Sequence, residues 1–286
     1  MMHPSEPLKI AYAIASRGRP SALIGVIASA WRLQSGANLL AFTVAVDDDD
    51  EKTLEALDLM KRDGEFPVQA VPAPRAPYMA AAQNRAVAAA GDADLVCLIS
   101  DRTFQITPGH DVGIVDAAMR FPHRVLWYSS PNDPDTTTPI IPHTVLDALD
   151  WKPLPEIYVY WFSDTHLMEV DRMCFGGPSL RIKPMVAGAR GRTTRGREFR
   201  WWTELYIALR PRRLAEAKRL NAALGLEWKD PPPEMLEDFA IRDRHLLEHA
   251  ADFEARFGDR AEPGPEYREA KAKAEKLMEE MANEQQ

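Results

Sequence analysis

The chain has 286 residues, 45% hydrophobic and 27% charged, enough for one sizeable α/β domain with an appendage or for two small domains. A formal net charge of −8 excludes a global basic field that would draw the chain to nucleic acid or membrane, so any anionic partner must meet a local patch. No apolar run approaches the ~20 residues of a membrane span, and Met1 to Lys9 lacks a signal-peptide core. Cys97 and Cys174 each sit in an apolar stretch and read as buried free thiols, which fits a reducing cytoplasm.

Residues 8–15 (LKIAYAIA) read as a buried strand ending at a polar turn, Ser16 to Pro20. A helix follows, with Pro20 in its first turn and Leu23, Val26, Ile27, Ala30 and Trp31 at helical spacing. Residues 39–46 form a second apolar strand, stopped by Asp47, Asp48, Asp49 and Asp50. A short amphipathic helix at 51–62, a weak strand at 66–71 and a Pro-rich connector at 72–77 lead to an alanine-rich helix at 78–90. Residues 94–99 (DLVCLI) are a strongly apolar strand ending at Ser100-Asp101-Arg102, and a helix at 109–120 and a strand at 124–129 continue the alternation. The pattern predicts an α/β fold, a mainly parallel sheet with helices on both faces. Ligands of such sheets bind outside the C-terminal ends of the strands, where these polar residues stand.

After residue 175 the pattern changes. Residues 181–201 read as a flexible basic loop: Arg181, Lys183, Arg190, Arg192, Arg195, Arg197 and Arg200 face a single acid, Glu198, and Trp201 and Trp202 follow. Helical segments at 202–223, 233–257 and 265–282 complete a C-terminal helical extension, 202–286, behind a first domain spanning 1–180.

Several strand-end residues suit phosphate, base and sugar chemistry. Arg17 and Arg19 can pair with phosphate, and Gly18 lets backbone approach a ligand; a plain turn with solvated arginines is the alternative. The loop is not G-x-G-x-x-G, which counts against a dinucleotide fold. Asp49 or Asp50 suits the cap of the next helix, which leaves Asp47 or Asp48 to accept a hydrogen bond from a nucleotide base, unless the run is only a solvated turn. Asp101 suits a hard metal with oxygen ligands, or else a turn. His166 is a further metal-ligand candidate against a plain first-turn histidine.

The order strand–SRGRP–helix–strand–VDDDD, then Gln83-Asn84-Arg85, then an apolar strand ending in Asp101 resembles family 2 glycosyltransferases of the GT-A fold, with phage and prophage members most similar. The resemblance covers about 60% of the chain. It implies a Rossmann-like domain that takes a nucleotide-sugar donor, a UDP-sugar foremost, and transfers the sugar to a hydroxyl with inversion. Ser16, Arg17, Arg19 and Asp47 or Asp48 would contact the nucleotide, Asn84 would face the donor, and Asp101 would match an acid of the metal-binding element for Mn²⁺ or Mg²⁺. This chain departs from that element: position 99 is Ile, and Arg102 stands where a second acid is common. One carboxylate plus the diphosphate can still hold the ion, or Arg102 can take over part of its role. Residues 138–164 resemble the family's acceptor-side segment, a helix followed by a Pro/aromatic strand, and place Asp164 as the base; Ser163 or Asp164 also suits a helix cap.

The acceptor stays open. Arg192, Arg195, Arg197 and Trp201 can form a lid over the diphosphate or grip a nucleic-acid backbone with stacking tryptophans. The resemblance adds a hydroxymethylated DNA base as one acceptor beside a glycan, and a phage-encoded origin. Two other classes compete: a nucleotidyltransferase that releases pyrophosphate, and a non-catalytic sugar-nucleotide-binding protein, which Arg102 favours.

Overall fold

The computed structural model describes residues 6–62, 64, 66–131, 138–159, 161–188, 197–257 and 265–284. The chain divides into two compact units, one within Met1–Ala76, Ala81–Pro153 and Ser179–Arg190, the other within Pro77–Ala80, Leu154–Pro178 and Gly191–Gln286.

Among the described residues the first unit is built on eight strands: β1 (Lys9–Ser16), β2 (Leu39–Asp47), β3 (Val68–Ala73), β4 (Leu95–Ser100), β5 (Thr103–Gln105), β6 (Leu126–Ser129), β7 (Pro139–Pro142) and β8 (Leu180–Gly188). Their order across the sheet is β3-β2-β1-β4-β7-β6-β8-β5. β1, β2, β3 and β4 run parallel, and β6 pairs parallel with β8. β7 and β5 run antiparallel to their neighbours. Around this mainly parallel sheet lie α1 (Pro20–Leu33), α2 (Glu51–Arg62), α3 (Met79–Ala89), α4 (His110–Arg120) and α5 (His143–Ala148). β1 is covered on both faces, as a central strand under helices must be, and seven of its eight residues are buried. Ile10, Tyr12, Ile14, Phe42, Val44, Val46, Leu95 and Ile99 form the centre of the core.

Two of the strands, β7 and β8, lie outside those read from the sequence pattern. Residues 181–188, expected to open the basic loop, belong to β8, which lies between β6 and β5. Ile182, Pro184 and Val186 point into the core while Arg181, Lys183 and Met185 are exposed. This is a period-two strand whose outward face happens to be basic and whose inward face includes a proline. Gly113 of α4 permits the close approach: a Cβ there would lie 2.7 Å from Pro184 Cγ. β7 is four residues long with proline at both ends, a composition that ordinarily argues against a strand.

A polar chain runs through this core. The Tyr12 hydroxyl pairs with His110 Nδ1 at 2.9 Å, Gln105 Nε2 donates to the Tyr128 hydroxyl at 2.8 Å, and that hydroxyl donates to Cys97 Sγ at 3.4 Å. Cys97 and Cys174 are both free and buried, as expected. Burial pushes the Cys97 thiol up to about 12. The thiolate is the reactive form, so Cys97 is expected to resist alkylation at pH 8 in the native chain and to react fully in denaturant. Mass spectrometry of iodoacetamide-treated protein checks this, and rapid native labelling of Cys97 would contradict its burial.

The second unit holds α6 (Ser163–Phe175), α7 (Phe199–Ala208), α8 (Arg210–Ala223), α9 (Pro233–Glu248), α10 (Ala250–Phe257) and α11 (Pro265–Glu284). The two long helices expected at 202–223 and 233–257 are each broken once, at Leu209 and at His249. Pro211 explains the first break, since proline fits a first helical turn but not an interior one. The described residues of 152–162 form no strand. The core is aromatic: Phe162 stacks on Tyr206 with centroids 4.6 Å apart, Phe199 on Phe253 at 4.9 Å, and Trp202 is fully buried. The Glu254 carboxylate accepts the backbone amides of Glu198 and Phe199 and so caps α7 from α10. Among the described residues no helix is long and apolar enough to cross a membrane.

Candidate functional site

Parallel register carries three loops to one edge of the sheet. Ser16 ends β1 opposite Val46, Ala15 lies opposite Ser100, and Asp47 ends β2 opposite Ala73. Ser16-Arg17-Gly18-Arg19, Asp47 to Asp50 and Asp101-Arg102 therefore emerge side by side.

The loops are tied together by charge. Arg17 NH1 donates to Asp47 Oδ2 at 2.8 Å, and its fork grips Asp49 at 2.5 and 2.8 Å. That grip, chiefly the hydrogen bond, lowers the Asp49 carboxyl. Gly18 takes a left-handed φ of +65°, and its amide donates to Asp50 Oδ2 at 2.6 Å. Asp50 also accepts from the Thr53 amide at 3.4 Å and caps α2, as one of the two acids was expected to do. Asp47 is a buried pin: its Oδ1 accepts the Ala76 amide at 3.0 Å and the Arg85 guanidinium at 3.4 Å. Asp48 sends its amide to Ala73 O at 2.8 Å and has an exposed side chain. Each of the four acids thus has a separate position.

Asp101 lies deeper. Its Oδ2 accepts the Ser16 hydroxyl at 3.0 Å and its Oδ1 accepts Arg19 NH1 at 3.0 Å. The side chain of Asp101 is 4% exposed and that of Arg19 is 42% exposed. Burial raises the Asp101 carboxyl, against the opposing pull of Arg19, Ser16 and Arg102. Arg19 is also the residue before α1, and its carbonyl accepts the Leu23 amide at 3.1 Å, so its backbone is held. Arg102 is half-buried, and its amide donates to Ser100 Oγ at 3.2 Å in the turn between β4 and β5. Asn84 is buried on α3. Arg85, its neighbour on the same helix, reaches both Asp47 and the Pro74 carbonyl. It is a site residue that the sequence pattern does not single out, and the Gln83-Asn84-Arg85 run is the one signal of it.

At the end of β4 a divalent ion finds one carboxylate, Asp101. Both Asp101 oxygens are engaged, and among the described residues no group of three or more His, Cys, Asp or Glu side chains could hold a metal. By themselves these residues do not fit such an ion.

The remaining expected residues lie in the second unit. Asp164 is half-buried in the first turn of α6 and its Oδ1 accepts the Thr165 amide at 2.8 Å. Neither Ser163 nor Asp164 caps that helix: Phe162 holds the cap position with a left-handed φ of 74°, and Ser163 Oγ donates to the Pro155 carbonyl at 3.3 Å. His166 is buried, with Nε2 on Glu216 at 2.6 Å and Nδ1 against the Tyr158 hydroxyl at 3.2 Å, so both ring nitrogens are engaged within the unit. Burial lowers the His166 pKa although Glu216 opposes it. Arg197 lies over the Tyr267 ring at 5.4 Å, and Trp201 packs edge-on to Trp202 at 4.7 Å under the Lys271 ammonium. Arg192 and Arg195 lie outside the described residues.

No family model and no curated protein sequence matches the chain. Solved structures do. The mannosyltransferase PcManGT from Pyrobaculum calidifontis, in complex with GDP-Man and Mn²⁺, aligns with 95% of this chain and 81% of its own at a TM-score of 0.57 and 13% identity. S. aureus TarS residues 1–349, in complex with UDP-GlcNAc, align with 76% of this chain and 71% of their own at 0.53 and 11%. The same protein in complex with UDP aligns over 76% and 70% at 0.51 and 10%. At such identities the likeness is one of architecture, and the chain has the GT-A fold followed by a helical C-terminal region.

Proposed function

We propose that the chain transfers a sugar from a nucleoside-diphosphate sugar, a UDP-sugar foremost, to an acceptor hydroxyl. The observation that carries this reading is the cluster at the ends of β1, β2 and β4, where two adjacent sets of hydrogen bonds, Ser16–Asp101–Arg19 and Asp47–Arg17–Asp49, stand at the ligand-binding edge of a GT-A sheet. Arg19 and Arg17 supply charged donors for a diphosphate. Asp48, exposed beside them, suits a base N–H. Asp164 takes the acceptor proton as the hydroxyl oxygen bonds to the anomeric carbon, the bond from that carbon to the phosphate oxygen breaks, and the nucleoside diphosphate leaves. A single displacement of this kind inverts the anomeric centre. Asn84 would line the donor side.

The PcManGT and TarS complexes support this class of donor, since the first holds GDP-Man and the second UDP or UDP-GlcNAc. Glycan and hydroxymethylated DNA base are alternative acceptors; the latter rests on the basic stretch and the resemblance to phage members.

A thermal-shift screen of nucleotide sugars tests the reading. Saturating the right donor at about 100 times its Kd stabilises the folded chain by about 2.7 kcal/mol. Nucleoside diphosphate release with the sugar on an acceptor is the expected chemistry. Pyrophosphate release would instead establish a nucleotidyltransferase, and donor binding without turnover over a broad acceptor panel would establish a binding protein.

A further inference from the structure

The leaving group of the proposed reaction is a diphosphate, and its developing charge needs a cation held in place before the bond breaks. By the family resemblance, Asp101 at the end of β4 is the carboxylate that would face that cation. In this chain the carboxylate already holds one. Asp101 Oδ1 accepts Arg19 NH1 at 3.0 Å and Oδ2 accepts the Ser16 hydroxyl at 3.0 Å. With Ile99 and Ser100 before it and Arg102 after it, the strand end brings no second acid. The exposures run in the same direction: Asp101 is 4% exposed and Arg19 is 42% exposed. A ligand arriving at this edge meets the guanidinium, with the carboxylate behind it. A divalent ion on the same carboxylate would have to displace Arg19 or sit against a like charge.

We propose that Arg19, seated on Asp101, takes the place of the divalent ion at the donor diphosphate, so that this chain binds nucleoside diphosphate without metal. The inference rests on the transferase reading and deepens it. Arginine suits the task. Its planar fork presents five donors and stays charged at every relevant pH, so one edge can hold Asp101 while another meets phosphate oxygens. The Arg19 backbone is fixed, because its carbonyl accepts the Leu23 amide at the start of α1. Ser16 closes the remaining carboxylate oxygen, which keeps Asp101 turned towards Arg19. Asp101 is then a positioning residue, acting through Arg19.

The test is calorimetry of the full chain with UDP and with GDP, once in EDTA and once in excess Mn²⁺. The expected result is a dissociation constant for one of them that changes less than about threefold between the two buffers. Arg19→Ala is expected to weaken that binding about 10- to 100-fold, the worth of a charge-assisted hydrogen bond, in either buffer. Arg19→Lys recovers part of it, since it keeps the charge but loses the fork. Asp101→Asn weakens binding in EDTA, and Mn²⁺ does not restore it. Wild-type binding that appears only with Mn²⁺ overturns the inference and leaves the transferase reading standing. Undiminished binding by a folded Arg19→Ala chain also overturns it. Absence of UDP and GDP binding in both buffers overturns the inference, and a screen of nucleotide sugars without a hit overturns the transferase reading. The wild-type comparison needs no variant, so a misfolded Arg19→Ala does not rescue the idea.

Discussion

Glu169→Ala is expected to cost the helical unit about 3–5 kcal/mol, the penalty for leaving a buried charge without its partner. Glu169 on α6 and Arg213 on α8 are both fully buried. Arg213 Nε donates to Glu169 Oε2 at 2.5 Å, Arg242 NH2 donates to Oε1, and Arg210 lies 3.7 Å from Oε1. Arg213 also donates to the Tyr206 carbonyl at 2.5 Å and stacks over the Tyr206 ring at 3.9 Å. Arg210 and Arg242 have a second acid in Asp243; Arg213 depends on Glu169. Truncation therefore strands Arg213 in the core, and the loss exceeds anything the removed methylenes explain. Urea denaturation measures it. Glu169→Met combined with Arg213→Met should be much less harmful than Glu169→Ala, because no unpaired ion is then buried. A loss below about 1 kcal/mol for Glu169→Ala, the range of exposed pairs, would refute the argument.

The same pair predicts a pH dependence. Burial raises the Glu169 carboxyl, but the charges of Arg213, Arg242 and Arg210 outweigh burial, so it titrates below the usual range. A carboxyl whose folded pKa is depressed contributes stability above its unfolded pKa, near about 4.3, and loses it as pH falls through the lower folded value. The stability gap between wild type and Glu169→Gln should be constant above about pH 5 and shrink below about pH 4. A gap that widens in acid would reverse the sign of the argument.

Asp164→Asn, which removes the proposed base, is the second large expected effect. Loss of a positioned general base lowers the transfer rate about 10²- to 10⁴-fold. Donor affinity should not move, since the proton it takes belongs to the acceptor. Asparagine keeps an oxygen for the Thr165 amide that Asp164 Oδ1 accepts at 2.8 Å, so melting should stay close to wild type. Initial rates with a donor and acceptor found in the screen decide it, read against donor Kd. Full activity in Asp164→Asn would remove the residue from the reaction, and a parallel collapse in melting temperature would reassign it to structure.

Sequence pattern and fold agree where local pattern and final environment coincide. β1, β2 and β4 are short apolar runs closed by polar turns, and parallel pairing needs them buried on both faces. That is why the sequence alone places Ser16, Asp47 and Asp101 at strand ends. β8 does not meet the same condition. Its inward positions include Pro184 and its outward ones carry Arg181 and Lys183, so its alternation reads as a basic loop.

The α/β layout, and the edge at which its strand-end polar residues emerge, are written in the chain itself, because apolar period and turn chemistry are local properties. Which charge meets which is a matter of packing. Arg17 goes to Asp47 and Asp49, Arg19 to Asp101 across 82 positions, and Arg213 to Glu169 across 44. No spacing rule ranks such pairs. An arginine in the sequence has many acids within reach of the unfolded chain, and the choice falls to whichever carboxylate the packed backbone buries beside it, where desolvation makes an unpaired ion costly. For that reason Asp101 is legible in the sequence as a strand-end acid, while the guanidinium it carries emerges only when β1 and β4 lie side by side.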